Sequence, residues 1–288
     1  MRTMAKFSDI VGRYLYLELD GVEYRVYIEE AGRGIPLVCQ HTAGSDGRQY
    51  RHILEDREIT SRFHVVAADL PYHGKSLPPT SVRYWEQEYK LTKDWFMRYW
   101  VKLCHELELN RPVYMGCSMG GHLAPDLALN YPNEFRACIG LEASMWSGNT
   151  DRLVNQWFHH PRLSNESKPA LMLGLCSPDA PEEYVRETVW EYSQGAPPVF
   201  KGDLNYYSFE HDLRQTARNI DTRKCALYVL SGEYDWSAYP AAAKALADAV
   251  PGASYTLMEG MGHFPMSEDP VQFKKYLMPV LAEIQARS

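Results

Sequence analysis

The chain has 288 residues, 45% of them hydrophobic, with a formal net charge of −7, which is enough for one large domain with a sizeable core. The acidic balance and the lack of any basic run argue against a nucleic-acid partner, and no apolar stretch approaches the ~20 residues that span a bilayer. Residues 1–7 lead into polar sequence rather than an apolar secretory segment, and the six cysteines show no C-x-x-C spacing, so buried free thiols in a cytoplasmic protein are expected.

Residues 14–19 and 22–28 alternate around Asp20-Gly21, a pair that suits a tight hairpin turn. Gly32-Arg33-Gly34 lies between two strand-like runs and reads as a turn rather than a phosphate loop. Further strands are expected at 36–40, 63–68, 113–115, 137–141, 226–230 and 254–258, with helices at 49–57, 93–109, 120–130, 240–249 and 270–285. This alternation predicts an α/β class, a mostly parallel sheet flanked by helices, with ligands bound beyond the carboxyl ends of the strands. Between residues 144 and 216 the alternation breaks into a stretch rich in proline and aromatics, among them Trp146, Trp157, Tyr184, Trp190, Tyr192, Phe200, Tyr206 and Tyr207. The expected division is a core of 1–143 and 217–288 with 144–216 inserted. Most of these aromatics should pack the insertion on the core. Trp146, Trp157 and Tyr207, with Thr42, are the candidate substrate contacts.

The chemistry concentrates at Gly116-Cys117-Ser118-Met119-Gly120-Gly121, between a short apolar run and a segment with apolar residues at helical spacing. Glycines flanking Ser118 suit a strained strand–turn–helix elbow that exposes a hydroxyl and aims helix N-terminal N–H groups at developing negative charge. The elbow register puts Ser118, not Cys117, at the tip. Downstream, Ser231-Gly232-Glu233-Tyr234-Asp235 and Gly260-Met261-Gly262-His263-Phe264 each follow a strand-like run. In the order Ser…Asp…His, Ser118 would attack a carbonyl, His263 would take and return its proton, and Asp235 would orient the imidazole. His159-His160 and His211-Asp212 lack an accompanying ligand set, so no metal and no cofactor are expected.

These motifs resemble the α/β-hydrolase superfamily over nearly the whole chain. Leu37-Val38-Cys39-Gln40-His41-Thr42-Ala43-Gly44 is similar to its strand and His-Gly-x oxyanion loop, and Asp69-Leu70-Pro71-Tyr72-His73-Gly74-Lys75-Ser76 to its D-x-P-G-x-G-x-S loop. Thr42 and Tyr72 depart from the usual glycines. The resemblance implies backbone oxyanion donors at Met119 and Ala43, with Thr42 the neighbour that could substitute, and a helical cap over 144–216. Some lactonases of the superfamily take their triad acid from the position of Glu142, which makes it the alternative to Asp235. Serine at the elbow excludes the aspartate-dependent epoxide hydrolases and dehalogenases. The resemblance implies a cofactor-independent hydrolase of a carboxylic ester or lactone on a small to medium hydrophobic molecule. The alternatives are a carbon–carbon bond hydrolase of a diketone and a small-ligand receptor on the same fold. Neither nucleic acid nor membrane is an expected partner, and the residues leave the oligomeric state open.

Overall fold

The computed structural model of the protein describes residues 6–148 and 167–287. Eight strands form one sheet in the order β1-β2-β4-β3-β5-β6-β7-β8, where β1 is Val11–Leu19, β2 Val22–Gly32, β3 Ile35–Gln40, β4 Phe63–Ala68, β5 Val113–Cys117, β6 Ala137–Leu141, β7 Ala226–Gly232 and β8 Ser254–Met258. The first two strands pair antiparallel, as do β2 and β4, and every other pairing is parallel. Asp20 (φ 55°) and Gly21 (φ 74°) both occupy the left-handed region, as a two-residue hairpin turn requires. The glycines of Gly32-Arg33-Gly34 likewise turn the chain from β2 into β3, with φ of 85° and 112°.

The central strands are buried on both faces, and their side chains divide with period two. Val38, Val66, Tyr114, Cys138 and Leu227 enter one core. Their neighbours Leu37, Val65, Met115, Ile139 and Tyr228 enter the other. Helix Lys93–Glu106 covers the first core with Phe96, Tyr99, Trp100 and Leu103, and helix Pro270–Ala286 covers the second with Phe273, Leu277, Leu281 and Ile284. Each such side chain contributes roughly 1.5–3 kcal/mol of burial.

The helix expected over 49–57 is instead three short pieces: a 3₁₀ turn at Gly47–Tyr50, then Arg51–Glu55 and Arg57–Thr60. Asp56 causes the break. Its backbone is extended and its side chain accepts the Glu58 and Ile59 N–H groups, so it caps a new helix rather than continuing the old one. Between β6 and β7 the described residues form helices Ser167–Leu173, Glu182–Tyr192 and Val199–Asn205, followed by a π-helical turn at Tyr206–Glu210. Among the described residues no helix is long and apolar enough to cross a membrane.

Candidate active site

The parallel strands all end at one edge of the sheet, and each candidate residue lies just past such an end: Thr42 and Ala43 after β3, Ser118 after β5, Glu142 after β6, Asp235 after β7 and His263 after β8. The end of β3 is fixed by Gln40, whose carbonyl accepts the Tyr50 hydroxyl at 2.8 Å and whose side chain accepts the Trp100 indole N–H at 2.9 Å.

Ser118 is held at φ 55° and ψ −115°, a conformation that costs a non-glycine residue about 1–3 kcal/mol. The neighbouring glycines are required by close approach. A Cβ on Gly116 would run into the Gly120 carbonyl, one on Gly121 into the Leu141 carbonyl, and one on Gly120 would lie 2.6 Å from Gln40 Cγ. The Ser118 N–H donates to Leu141 O at 2.9 Å, and Ser118 O accepts the His122 N–H at 2.8 Å, so the strand end and helix start lock the elbow from both sides. The His122 ring adds a second hold, its Nδ1 at 2.8 Å from Ser118 O and its Nε2 at 3.1 Å from Ser144 Oγ.

His263 Nδ1 lies 2.7 Å from Asp235 Oδ2 and 3.0 Å from Ser237 Oγ. The other Asp235 oxygen accepts the Ser237 N–H (2.8 Å), the Ser237 hydroxyl (2.9 Å) and the Ala238 N–H (3.1 Å). Burial works to raise the Asp235 carboxyl, but His263, Glu142 and the Ser237 backbone outweigh it and hold it well below the usual carboxylate range. The His263 backbone N–H is itself tied to Leu175 O at 3.0 Å.

Glu142 is buried behind Asp235. One of its oxygens accepts the Gly232 N–H at 2.8 Å, while the other has no donor among the described residues. Burial, reinforced by the adjacent Asp235, pushes the Glu142 carboxyl well above the usual carboxylate range. The carboxylate against His263 is therefore that of Asp235.

In the loop after β3, the Thr42 N–H donates to Gln49 Oε1 at 2.9 Å and the Gly44 N–H to Asp203 Oδ2 at 2.7 Å. The Ala43 N–H between them carries no partner among the described residues, and Met119 supplies the first N–H of helix Met119–Asn130. The Thr42 hydroxyl is engaged by Tyr192 and Gln49.

Ser118, His263, Thr42 and Ala43 line one cavity of about 260 Å³, closed by Leu171, Met172, Leu175, Tyr192, Phe200, Leu204, Tyr207, Trp236 and Ser237. Tyr207, expected at the pocket, is there. Trp146 is not among the lining residues: it is 39% exposed, with the Arg214 guanidinium 3.9 Å from its ring centroid. Trp157 lies outside the described residues. Among the described residues no group of three His, Cys, Asp or Glu side chains could hold a metal ion.

Residues 37–275 match the model of the alpha/beta hydrolase family. The chain belongs to that family. Similar solved structures include a thermophilic esterase from Thermogutta terrifontis, with TM-score 0.80 and 19% identity over 94% of this chain and 99% of that one. The enol-lactonase from Burkholderia xenovorans LB400 is also similar, with TM-score 0.79 and 16% identity over 94% of this chain and 100% of that one. In sequence, the chain is 28% identical over 132 residues to a protein of Mycobacterium phage D29 named as a suggested non-heme haloperoxidase. That match spans 45% of this chain and 44% of the relative, less than half the length of either.

Several neighbours of the candidate site carried no sequence signal of their own. Ser237 sits two residues past Asp235, where its backbone and hydroxyl both reach the carboxylate. Leu171, Met172, Leu175 and Leu204 lie on insertion helices whose apolar residues read equally well as packing. Asp203 meets Gly44 across 159 residues of sequence, a separation no local pattern spans.

Proposed function

We propose that the protein is a cofactor-independent serine hydrolase that cleaves a carboxylic ester or lactone of a small to medium hydrophobic molecule through an acyl-enzyme. The observation that carries this reading is the shared cavity: Ser118 and His263 face the same largely apolar space, and His263 is held from behind by the ionised Asp235.

Ser118 Oγ attacks the substrate carbonyl carbon while His263 Nε2 takes the hydroxyl proton. The imidazolium is stabilised by Asp235. The carbonyl oxygen becomes an oxyanion facing the Ala43 and Met119 N–H groups, neither of which has a partner among the described residues. Collapse breaks the C–O bond, and His263 returns the proton to the leaving alcohol oxygen. For a lactone that oxygen stays on the same molecule as the acyl group. Water, deprotonated by His263, then adds to the acyl carbon; the bond to Ser118 Oγ breaks, His263 returns the proton to that oxygen, and the acid leaves.

In this reading residues 144–216 act as a cap over the core of 1–143 and 217–288. The cap side chains Leu171, Met172, Leu175, Phe200 and Leu204 give the cavity its apolar character, which favours an uncharged hydrocarbon portion over a sugar or peptide. The buried thiols of Cys39, Cys104, Cys117, Cys138 and Cys225 suit the cytoplasmic setting that belongs to this proposal. The test is a panel of p-nitrophenyl acyl esters and aliphatic lactones, run on the wild type and on Ser118→Ala. Turnover that vanishes in the variant supports the proposal. Thermal stabilisation by these compounds without turnover would make the protein a receptor instead.

A further inference from the structure

Three side chains of the insertion press on the loop that carries Ala43. The Tyr192 hydroxyl meets the Thr42 hydroxyl, the Phe200 ring lies over Gly44, and the Asp203 carboxylate accepts the Gly44 N–H. Gly44 sits at φ +69°, and a Cβ there would lie 2.6 Å from Phe200 Cδ2, so the loop and the insertion meet at closest approach.

Asp203 is fully buried in helix Val199–Asn205 and does not line the substrate cavity. Its Oδ2 accepts the Gly44 N–H at 2.7 Å and His73 Nε2–H at 2.9 Å, and its Oδ1 accepts the Tyr89 hydroxyl at 3.0 Å. His73 Nδ1 faces Pro71 O at 2.9 Å. Burial works to lower the His73 imidazole, but its buried pairing with Asp203 outweighs this and raises it above its usual value. Neighbouring His41, 4.8 Å away between ring centroids, is neutral: its Nδ1–H donates to Thr42 O and its Nε2 accepts the Leu70 N–H. The loop is thus gripped on either side of Ala43, by Gln49 on the Thr42 amide and by Asp203 on the Gly44 amide. Because a trans peptide is planar, the Ala43 N–H points opposite the Thr42 carbonyl, which accepts His41 Nδ1–H at 2.8 Å and the Ser45 N–H at 3.3 Å, while the Gln49 and Asp203 anchors hold the peptides on either side and keep this one from turning.

We propose that Asp203 is a positioning residue that holds the Ala43 N–H in line with the developing oxyanion, tying the cap directly to the chemistry at Ser118. The inference rests on the serine-hydrolase reading above. A charge-assisted hydrogen bond in a dry site is strong, and small displacements of a transition-state donor are costly in rate, which gives a remote carboxylate leverage on kcat. A purely structural staple would change stability and leave kcat alone.

The experiment compares Asp203→Ala and Asp203→Asn with wild type in kcat and KM on p-nitrophenyl acetate, in the rate of Ser118 phosphonylation by a fluorophosphonate, and in thermal midpoint. Asp203→Ala should lose about 10–100-fold in kcat with KM changed by less than about threefold, and phosphonylation should slow in parallel. The isosteric Asp203→Asn keeps an oxygen for the Gly44 N–H and should recover part of the loss. If Asp203→Ala does not fold, Asp203→Asn decides alone and must lower kcat by more than about twofold at unchanged KM. A folded variant with wild-type kcat, or a loss seen only in thermal midpoint, overturns the inference. Wild-type protein without Ser118-dependent turnover would remove the hydrolase reading itself; an active wild type with indifferent Asp203 variants would remove only the role of Asp203.

Discussion

Replacing Asp235 by Asn should cost far more activity than replacing Glu142 by Gln, although both exchange a buried carboxyl for its amide. At Asp235 the Oδ1 position receives the Ser237 N–H, the Ser237 hydroxyl and the Ala238 N–H, all within 3.1 Å. In Asp235→Asn the amide oxygen must stay on that side, which turns the NH₂ toward His263 Nδ1. His263 then holds its proton on Nε2 and presents a donor, not an acceptor, to Ser118. A wrong tautomer of this kind costs about 10⁴-fold in kcat, ~5 kcal/mol of transition-state stabilisation. Burial and the adjacent Asp235 push the Glu142 carboxyl well above the usual carboxylate range, so Glu142→Gln exchanges it for a group of the same shape whose oxygen can keep the Gly232 N–H. The loss there should stay within about threefold. Both variants are assayed for kcat/KM on a p-nitrophenyl ester, with thermal midpoints measured alongside. A larger loss for Glu142→Gln, or Asp235→Asn within tenfold of wild type, would refute the assignment and move the triad acid to Glu142.

Leu171→Ala widens the cavity at its cap wall. It should shift kcat/KM between short and long acyl esters by roughly 1–3 kcal/mol in favour of the long, whereas an equal loss on every ester would show that Leu171 is only packing. Burial, with His211 beside it, pushes His122 down to about 3. Its folded pKa is depressed, so its contribution to stability is full above the unfolded value of about 6.5 and is lost as pH falls toward 3. Because Asp69 and Glu268, both raised to about 7 by burial, pull in the opposite direction, the test is a difference. The urea-unfolding advantage of wild type over His122→Gln at pH 7 should shrink by pH 4; a constant gap would contradict a neutral buried ring.

The sheet was legible because its signals are local. Asp20-Gly21 marks the first hairpin, and the uninterrupted apolar runs at β5, β6 and β7 mark strands buried on both faces. Helix boundaries were less so: Asp56 looks like one more polar residue in a helical pattern until its side chain is seen capping the next turn. The positions of Ser118, Asp235 and His263 could be read because each follows a strand at the same sheet edge, and strand ends are set by nearby residues. The cavity walls could not. Trp146 and Tyr207 are similar aromatic candidates in sequence, but only Tyr207 reaches the site, stacked on His122, while Trp146 pairs with Arg214 outside it. The hold of Asp203 on Gly44 is a tertiary contact between segments that share no periodicity.

The nucleophile itself is best tested by mass spectrometry of the protein after brief exposure to a fluorophosphonate or an activated ester. One covalent adduct per chain is expected, located on the peptide containing Ser118, formed in step with loss of esterase activity and absent from a folded Ser118→Ala variant. Turnover without any adduct at Ser118, or an Ser118→Ala variant that keeps activity within tenfold of wild type, would contradict the serine mechanism.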